Sequence, residues 1–170
     1  MVAPPDLTRL KSEDEIMFSI DAIMSTDLIT VSPSATLADA RALMHENRIH
    51  HLPVTDDKTL VGLLTLTDVL AATDSFLRDD RSRIHANEIV VRDVMVNDVA
   101  TVDVHASLRQ AALFIEKHKI GCLPVMSGGD LVGIITDTDF VAVAINLLEQ
   151  LESSEPLDDD LDDLDDLDVA

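Results

Sequence analysis

Apolar and polar positions along this chain repeat the same sequence of elements twice. A β-rich piece, Leu28-Ile29-Thr30-Val31, leads through a turn to a helix start at Thr36, and Val99-Ala100-Thr101-Val102 leads in the same way to Ser107. Leu37, Ala40, Leu43 and Met44 then recur at the three- and four-residue steps of one helical face, predicting a helix from about 36 to 48; Leu108, Ala111, Phe114 and Ile115 repeat that stripe. Two short apolar runs come next, Leu52 to Val54 and Leu60 to Leu64, joined by Thr55-Asp56-Asp57-Lys58-Thr59. The matching joint, Met126-Ser127-Gly128-Gly129-Asp130, reads as a hairpin turn. A second helix begins near Thr67 and Thr138. The predicted order is β-α-β-β-α, twice: an α/β (α+β) fold of two pseudo-twofold related repeats, with small sheets packed against helices.

The register of the repeat is uniform. Ile20 to Leu70 lies over Val91 to Val141 at an offset of 71 residues without a gap, and 17 of the 51 aligned positions are identical. They concentrate at Leu52-Pro53-Val54 and Leu123-Pro124-Val125, and at Leu60 to Asp68 and Leu131 to Asp139. Two copies suit a pair that closes on itself, since an open solenoid needs three or more stacked units to bury its core. The expected organisation is an N-terminal segment at 1–17, repeats at 18–77 and 90–152, a linker at 78–89, and an acidic tail at 153–170. The linker region, Thr73 to Glu88 with Arg78, Arg81 and Arg83, is too long for a tight turn and is expected to extend a helix before crossing over. In the last helix Phe140, Ala144, Leu147, Leu148 and Leu151 form an apolar stripe larger than a small sheet needs, which points to burial by another copy in a homodimer.

Composition narrows the class. A chain of 170 residues with 46% hydrophobic residues can build one ordinary core. No stretch reaches the length of a membrane span, and Met1 to Asp6 has neither the basic start nor the apolar core of a signal peptide, so a soluble, cytoplasmic protein without a membrane partner is expected. The lone Cys122 makes no internal disulfide.

Net charge is −21, and residues 149–170 contribute eleven acids without one Lys or Arg. Free nucleic acid is excluded as a natural partner, because phosphate-backbone binding needs a basic face. Acid richness is also a mark of adaptation to high salt, although the tail alone supplies half of the charge. In that tail Leu157, Leu161, Leu164 and Leu167 fit one helical face wrapped in aspartate; the alternatives are a disordered, solubilising tail and a docking helix for a basic groove.

The residues with chemistry are Gly62-x-x-Thr65-x-x-Asp68 and Gly133-x-x-Thr136-x-x-Asp139. A glycine late in a buried strand admits close approach by a backbone or a ligand. Thr then ends the strand where a helix begins, and free amides with the positive end of the helix dipole favour an anion there. Asp three residues on offers two acceptor oxygens suited to ribose hydroxyls. The same spacing is that of a capping box, in which Thr and Asp only satisfy orphan amides.

With Ile23-Met24, Thr30-Val31, Ile49 to Val54 and Gly62 to Asp68, repeated as Val94-Met95, Thr101-Val102, Ile120 to Val125 and Gly133 to Asp139, the chain resembles a pair of CBS (cystathionine β-synthase-type) domains, or Bateman module, over about residues 18–150. The resemblance implies an adenine nucleotide or other adenosyl ligand in clefts between the units. By that pattern Asp68 and Asp139 hold ribose, and Thr65 and Thr136 contact phosphate. Adenine lies between the strand at Thr30 or Thr101 and the residues before the shared proline: Ile49, His50 and His51 in the first unit, and Ile120, Gly121 and Cys122 in the second.

One departure is that Thr67 and Thr138 stand where many relatives carry Arg, so a polyphosphate must find its positive charge elsewhere: at Arg48, His50 or His51, at Lys117, His118 or Lys119, or at the Arg78 to Arg83 cluster. Asp137 adds negative charge beside the second phosphate position, favouring a less charged ligand or one carrying magnesium. AMP or ADP is therefore expected ahead of ATP. His50 and His51, neighbours on a strand, point to opposite faces and do not suit one metal ion; no metal site is expected. Cys122 reads as a packing residue rather than a nucleophile.

The expected function is a stand-alone regulatory module, homodimeric and acting on an unidentified partner protein, with no catalytic residues and no required cofactor. No Ser-His-Asp set, P-loop, paired-carboxylate signature or metal constellation marks an enzyme. The alternative is a ligand-free dimerisation or scaffold protein in which the motif residues serve only as helix caps.

Overall fold

The computed structural model describes residues 19–77 and 88–154. The N-terminal segment before Ser19, the arginines of the linker and the leucine pattern of the tail lie outside the described residues. The chain divides into two units, residues 1–137 and 138–170.

In the first unit, a short helix α1 (Ile20–Ile23) precedes α2 (Leu37–Asn47), the hairpin β1 (His51–Asp56) and β2 (Thr59–Thr65), and α3 (Leu66–Leu77). A 3-10 turn (Val91–Asp93) opens the second copy, succeeded by β3 (Val102–Asp103), α4 (Leu108–His118), β4 (Cys122–Ser127) and β5 (Asp130–Thr136); α5 (Asp137–Ser154) comes last. The β-α-β-β-α reading holds, with its first strand much reduced. Instead of strands over 28–31 and 99–102, Val31 forms a single parallel bridge to Val54, and β3 is two residues long and pairs parallel to β4. The pairing is brief because the chain turns at once through Ser32-Pro33, with the Ala35 N–H donating to the Ser32 carbonyl at 3.0 Å.

Local chemistry sets the helix limits. Thr36 and Asp39 form a reciprocal capping box at the start of α2, as Ser107 and Gln110 do at α4. Each of these helices ends on a residue in the left-handed region, Arg48 and Lys119, both at φ 55°. The hairpins pair in matching register, Val54 with Gly62 and Val125 with Gly133, and each carries an irregularity at the next residue.

Packing interleaves the two copies within the first unit. Leu63 bridges Val96 and Ser25 bridges Ile134; Thr36 bridges Val90 and Ser19 bridges Ser107. Each pair maps onto its fellow by the 71-residue offset, so the twofold relation expected from sequence is present in the hydrogen bonds. Each copy also lends its leading segment to the other. Ile89 and Val91 join the core built from Val31, Leu37, Ala40, Met44, Leu52, Val54, Leu64 and Val69. Ile20, fully buried, packs with α1 against β5.

In the second unit, α5 presents Val141, Ile145 and Leu148 at steps of four and three, exposed by 57%, 51% and 58%. Leu147 and Leu151 from the expected stripe are exposed as well. Among the described residues no helix is long and apolar enough to cross a membrane.

Candidate functional site

Each hairpin brings the residues before its proline level with the motif threonine: His51 pairs with Thr65, and Cys122 with Thr136. Backbone bonds fix these ends. The Ile49 N–H donates to the Met44 carbonyl at 2.9 Å and the Ile120 N–H to the Ile115 carbonyl at 3.3 Å, tying the approach to the preceding helix. At the far end the Leu66 N–H donates to the His50 carbonyl at 2.9 Å and the Asp137 N–H to the Gly121 carbonyl at 3.1 Å. Thr30 and Thr101 immediately precede the short parallel pairings of Val31 and Val102, which lays them alongside β1 and β4. Thr30 and Ile49 are half-buried, the latter against the first core, while Thr101 and His50 are exposed.

The first motif forms a closed set of hydrogen bonds. The Thr65 hydroxyl donates to Asp68 Oδ2 at 2.6 Å, the Thr65 N–H to the same oxygen at 3.1 Å, and the Asp68 N–H to Thr65 Oγ1 at 3.2 Å. This is the capping box, formed by the same two residues that the resemblance assigns to phosphate and ribose. All three bonds leave Asp68 Oδ1 out. In the second copy Thr136 ends β5; Asp139, half-buried, belongs to the second unit in the first turns of α5.

The glycines of the motif face protein. A Cβ on Gly62 would lie 2.5 Å from Met95 Sδ and 3.1 Å from the Val96 carbonyl oxygen; on Gly133 it would lie 2.5 Å from Met24 Sδ and 3.2 Å from the Ser25 carbonyl oxygen. Each glycine is thus the recess that receives the methionine of the other copy. The signal is legible in part, since Met24 and Met95 are identical at the repeat offset yet belong to no apolar stripe.

His51 crosses between the copies. Its Nε2 stands 2.7 Å from where a Cβ on Gly121 would be, so the imidazole rests on that glycine. Burial pushes its pKa below the ordinary histidine value, opposed by Asp137; His50 lowers it further and Asp68 raises it. At the matched position of the second copy Cys122 is buried, and its thiol is pushed up to about 12 by that burial, with Asp137 adding to the effect. Such a thiol stays protonated and packs, as its apolar neighbours do. Along the sequence the bulky pair His50-His51 and the small pair Gly121-Cys122 belong to separate sites; their complementary sizes are the available sign that they meet.

Of the cations considered for phosphate, Arg48 and Lys119 are exposed helix caps, and Lys117 is exposed on α4. His118 stacks on Phe114 of its own helix with centroids 4.2 Å apart. Among the described residues no three His, Cys, Asp or Glu side chains group to hold a metal ion.

The sequence profile of the CBS domain matches residues 20–75 and 91–146, the two copies in full register. The chain belongs to the CBS domain family. A Vibrio cholerae crystal structure named for acetoin utilization (AcuB) is 42% identical to this CBS pair, covering 82% of this chain and 99% of its own, with a TM-score of 0.68. CBSX2, whose crystal structure is a complex with AMP, is 30% identical over 77% of this chain and 98% of its own, with a TM-score of 0.66. The CBS pair is also 34% identical over 120 residues to inosine-5'-monophosphate dehydrogenase of Korarchaeum cryptofilum, but spans only 23% of that enzyme's length.

Proposed function

We propose that this CBS pair is a regulatory module that binds an adenosine-type ligand at the ends of its paired strands and passes that state to a partner protein. The observation carrying the reading is that the two strand ends meet, with His51 of one copy on Gly121 of the other, in a fold whose relative CBSX2 was crystallised with AMP. Ribose would be held by Asp68 and by Asp139. Thr65 and Thr136 would meet the 5′ substituent, and adenine would lie beside Thr30 or Thr101 against Ile49, His50 and His51 or Ile120, Gly121 and Cys122. Magnesium would accompany only a polyphosphate. The module would act as a cytoplasmic homodimer, a second molecule covering the α5 stripe of Val141, Ile145 and Leu148. Its likeness to the dehydrogenase is confined to a fraction of that enzyme, which supports regulation and not catalysis. A ligand shifts such a module only through unequal affinity for two states.

The test is calorimetric titration of AMP, ADP, ATP and S-adenosylmethionine into ligand-free protein, with and without magnesium. Saturable binding is expected, weakened about tenfold or more in Asp68→Ala or Asp139→Ala, in line with the loss of a hydrogen-bonded polar contact. One observation favours a second reading, a ligand-free scaffold: Asp68 already completes a capping box with Thr65. On that reading the Ala variants lose about 1 kcal/mol of stability and no compound gives heat.

A further inference from the structure

The two copies differ in charge at the first residue after the motif strand, a difference that acquires a meaning for binding on the adenosine-ligand reading of these strand ends. The first copy has Leu66 there, and the second has Asp137 at the matched register. Their backbones are equivalent, since both N–H groups donate to the residue before the paired strand, Leu66 to the His50 carbonyl and Asp137 to the Gly121 carbonyl. One amide at each helix start is therefore already engaged and is not the donor that receives a phosphate. A carboxylate has been placed at a fixed point where the other copy has an apolar side chain.

His51 feels the charge of that carboxylate. Its imidazole rests on Gly121, one residue before Cys122 and level with the same strand end. The charged groups acting on it are Asp137, His50 and Asp68, two carboxylates and an imidazole, with neither Lys nor Arg among them. Since burial favours the neutral ring, His51 brings no charge of its own to a phosphate at neutral pH.

We propose that Asp137 is a specificity-determining residue: the strand end of the second copy takes an adenosyl ligand whose 5′ substituent is neutral or cationic, a thioether or a sulfonium, in preference to a 5′-phosphate. A phosphate there would bring two negative charges beside the exposed Asp137 carboxylate, and like charges at short range repel even in contact with solvent. A sulfonium would be attracted by the same carboxylate. The first copy, with Leu66, lacks this discrimination.

The experiment is calorimetry of full-length Asp68→Ala protein, which leaves the second strand end as the one read, without magnesium, using 5′-methylthioadenosine, S-adenosylmethionine and AMP. The thioether and the sulfonium should bind more tightly than AMP by on the order of tenfold. Adding Asp137→Asn should raise AMP affinity by a similar factor, lower that of the sulfonium, and leave the thioether unchanged. The converse variant, Leu66→Asp with Asp68 intact, should weaken AMP at the first strand end. Equal affinity for AMP and the thioether, or an Asp137→Asn effect that is the same for all three, would overturn the charge selection and leave adenosine binding standing. Absence of binding by all three compounds to folded wild-type protein would remove both.

Discussion

In the first copy the hairpin turn is made by Asp57 and Lys58 at φ 45° and 73°; in the second it is made by Gly128 and Gly129 at φ 60° and 97°. The backbone path is the same, and only one copy uses the residue that adopts it freely. The same contrast recurs elsewhere. Position 51 holds a half-buried imidazole and its counterpart, 122, a buried thiol; position 66 is leucine and 137 aspartate. On the helix before the hairpin, Leu43 is half-buried while its counterpart Phe114 is 39% exposed. Hydrogen-bond register and the Gly–Met recesses are common to both copies and make the fold. The motif residues Thr65 and Thr136, Asp68 and Asp139 are common to both copies as well, so what distinguishes the two strand ends lies in the positions where the copies disagree.

The strongest way to break the comparison is to attack the exchange of leading segments. Ile20 belongs by sequence to the first copy but is fully buried against β5 of the second. Ile20→Ala should cost about 2–5 kcal/mol in chemical denaturation, the range for truncating a buried isoleucine. Amide exchange should rise first in β5 and around Ser107, not in β1. Loss of protection confined to the first copy's own hairpin would show that the segments are not exchanged.

Next in size are the paired recesses. Gly62→Ala and Gly133→Ala each place a methyl group against a methionine and a backbone carbonyl that has little freedom to move, and each should destabilise by about 1–3 kcal/mol. Because the methionine Sδ is the closer obstacle, Gly62→Ala should be partly rescued by Met95→Ala, and Gly133→Ala by Met24→Ala. Crossing the partners, Gly62→Ala with Met24→Ala, should give additive losses. Rescue by the crossed partner would contradict the arrangement.

These recesses also show what the sequence could and could not reveal. The helices and hairpins are legible because their signals are local: capping residues at Thr36 and Ser107, apolar steps along α2 and α4, and turn residues between paired runs. The first strand is overstated by composition, since Leu28 to Val31 is rich in strand formers but pairing is a property of the neighbour, and the turn at Pro33 leaves room for one bridge. Exchange of Ile20 and Val91 is hidden because a repeat in sequence says nothing about which copy a segment packs upon. For the site, the motif pair Thr65 and Asp68 is visible in the sequence, but their mutual hydrogen bonds and the seat of His51 on Gly121 are tertiary facts.

A smaller effect comes from the turns. Lys58→Gly removes the strain of a side chain in the left-handed region and should stabilise by about 1 kcal/mol. In the second copy Gly129→Lys should cost at least as much, at φ 97°. Thermal midpoints of the two variants should move in opposite directions; equal and null shifts would mean that both turns relax freely.

The least of these effects is also the most specific, because it separates the copies by pH alone. The pKa of His51 is lowered, chiefly by burial, so the folded protein resists protonating it while the unfolded chain takes up the proton near the ordinary value of about 6.5. Stability from this source is full above that value and is lost as pH falls toward the lowered pKa; below it there is no further change. Cys122, at the same place in the second copy and held up at about 12, stays protonated over the whole range and contributes nothing to the slope. Measured from pH 7.5 down to 5, the stability of wild type relative to His51→Gln should therefore fall, whereas relative to Cys122→Ala it should stay level. Using differences matters, since the acidic surface titrates in every variant and cancels. A flat His51→Gln difference would mean that the imidazole is free in solvent and not lodged against Gly121, which would also detach it from the strand end where the ligand is proposed to bind.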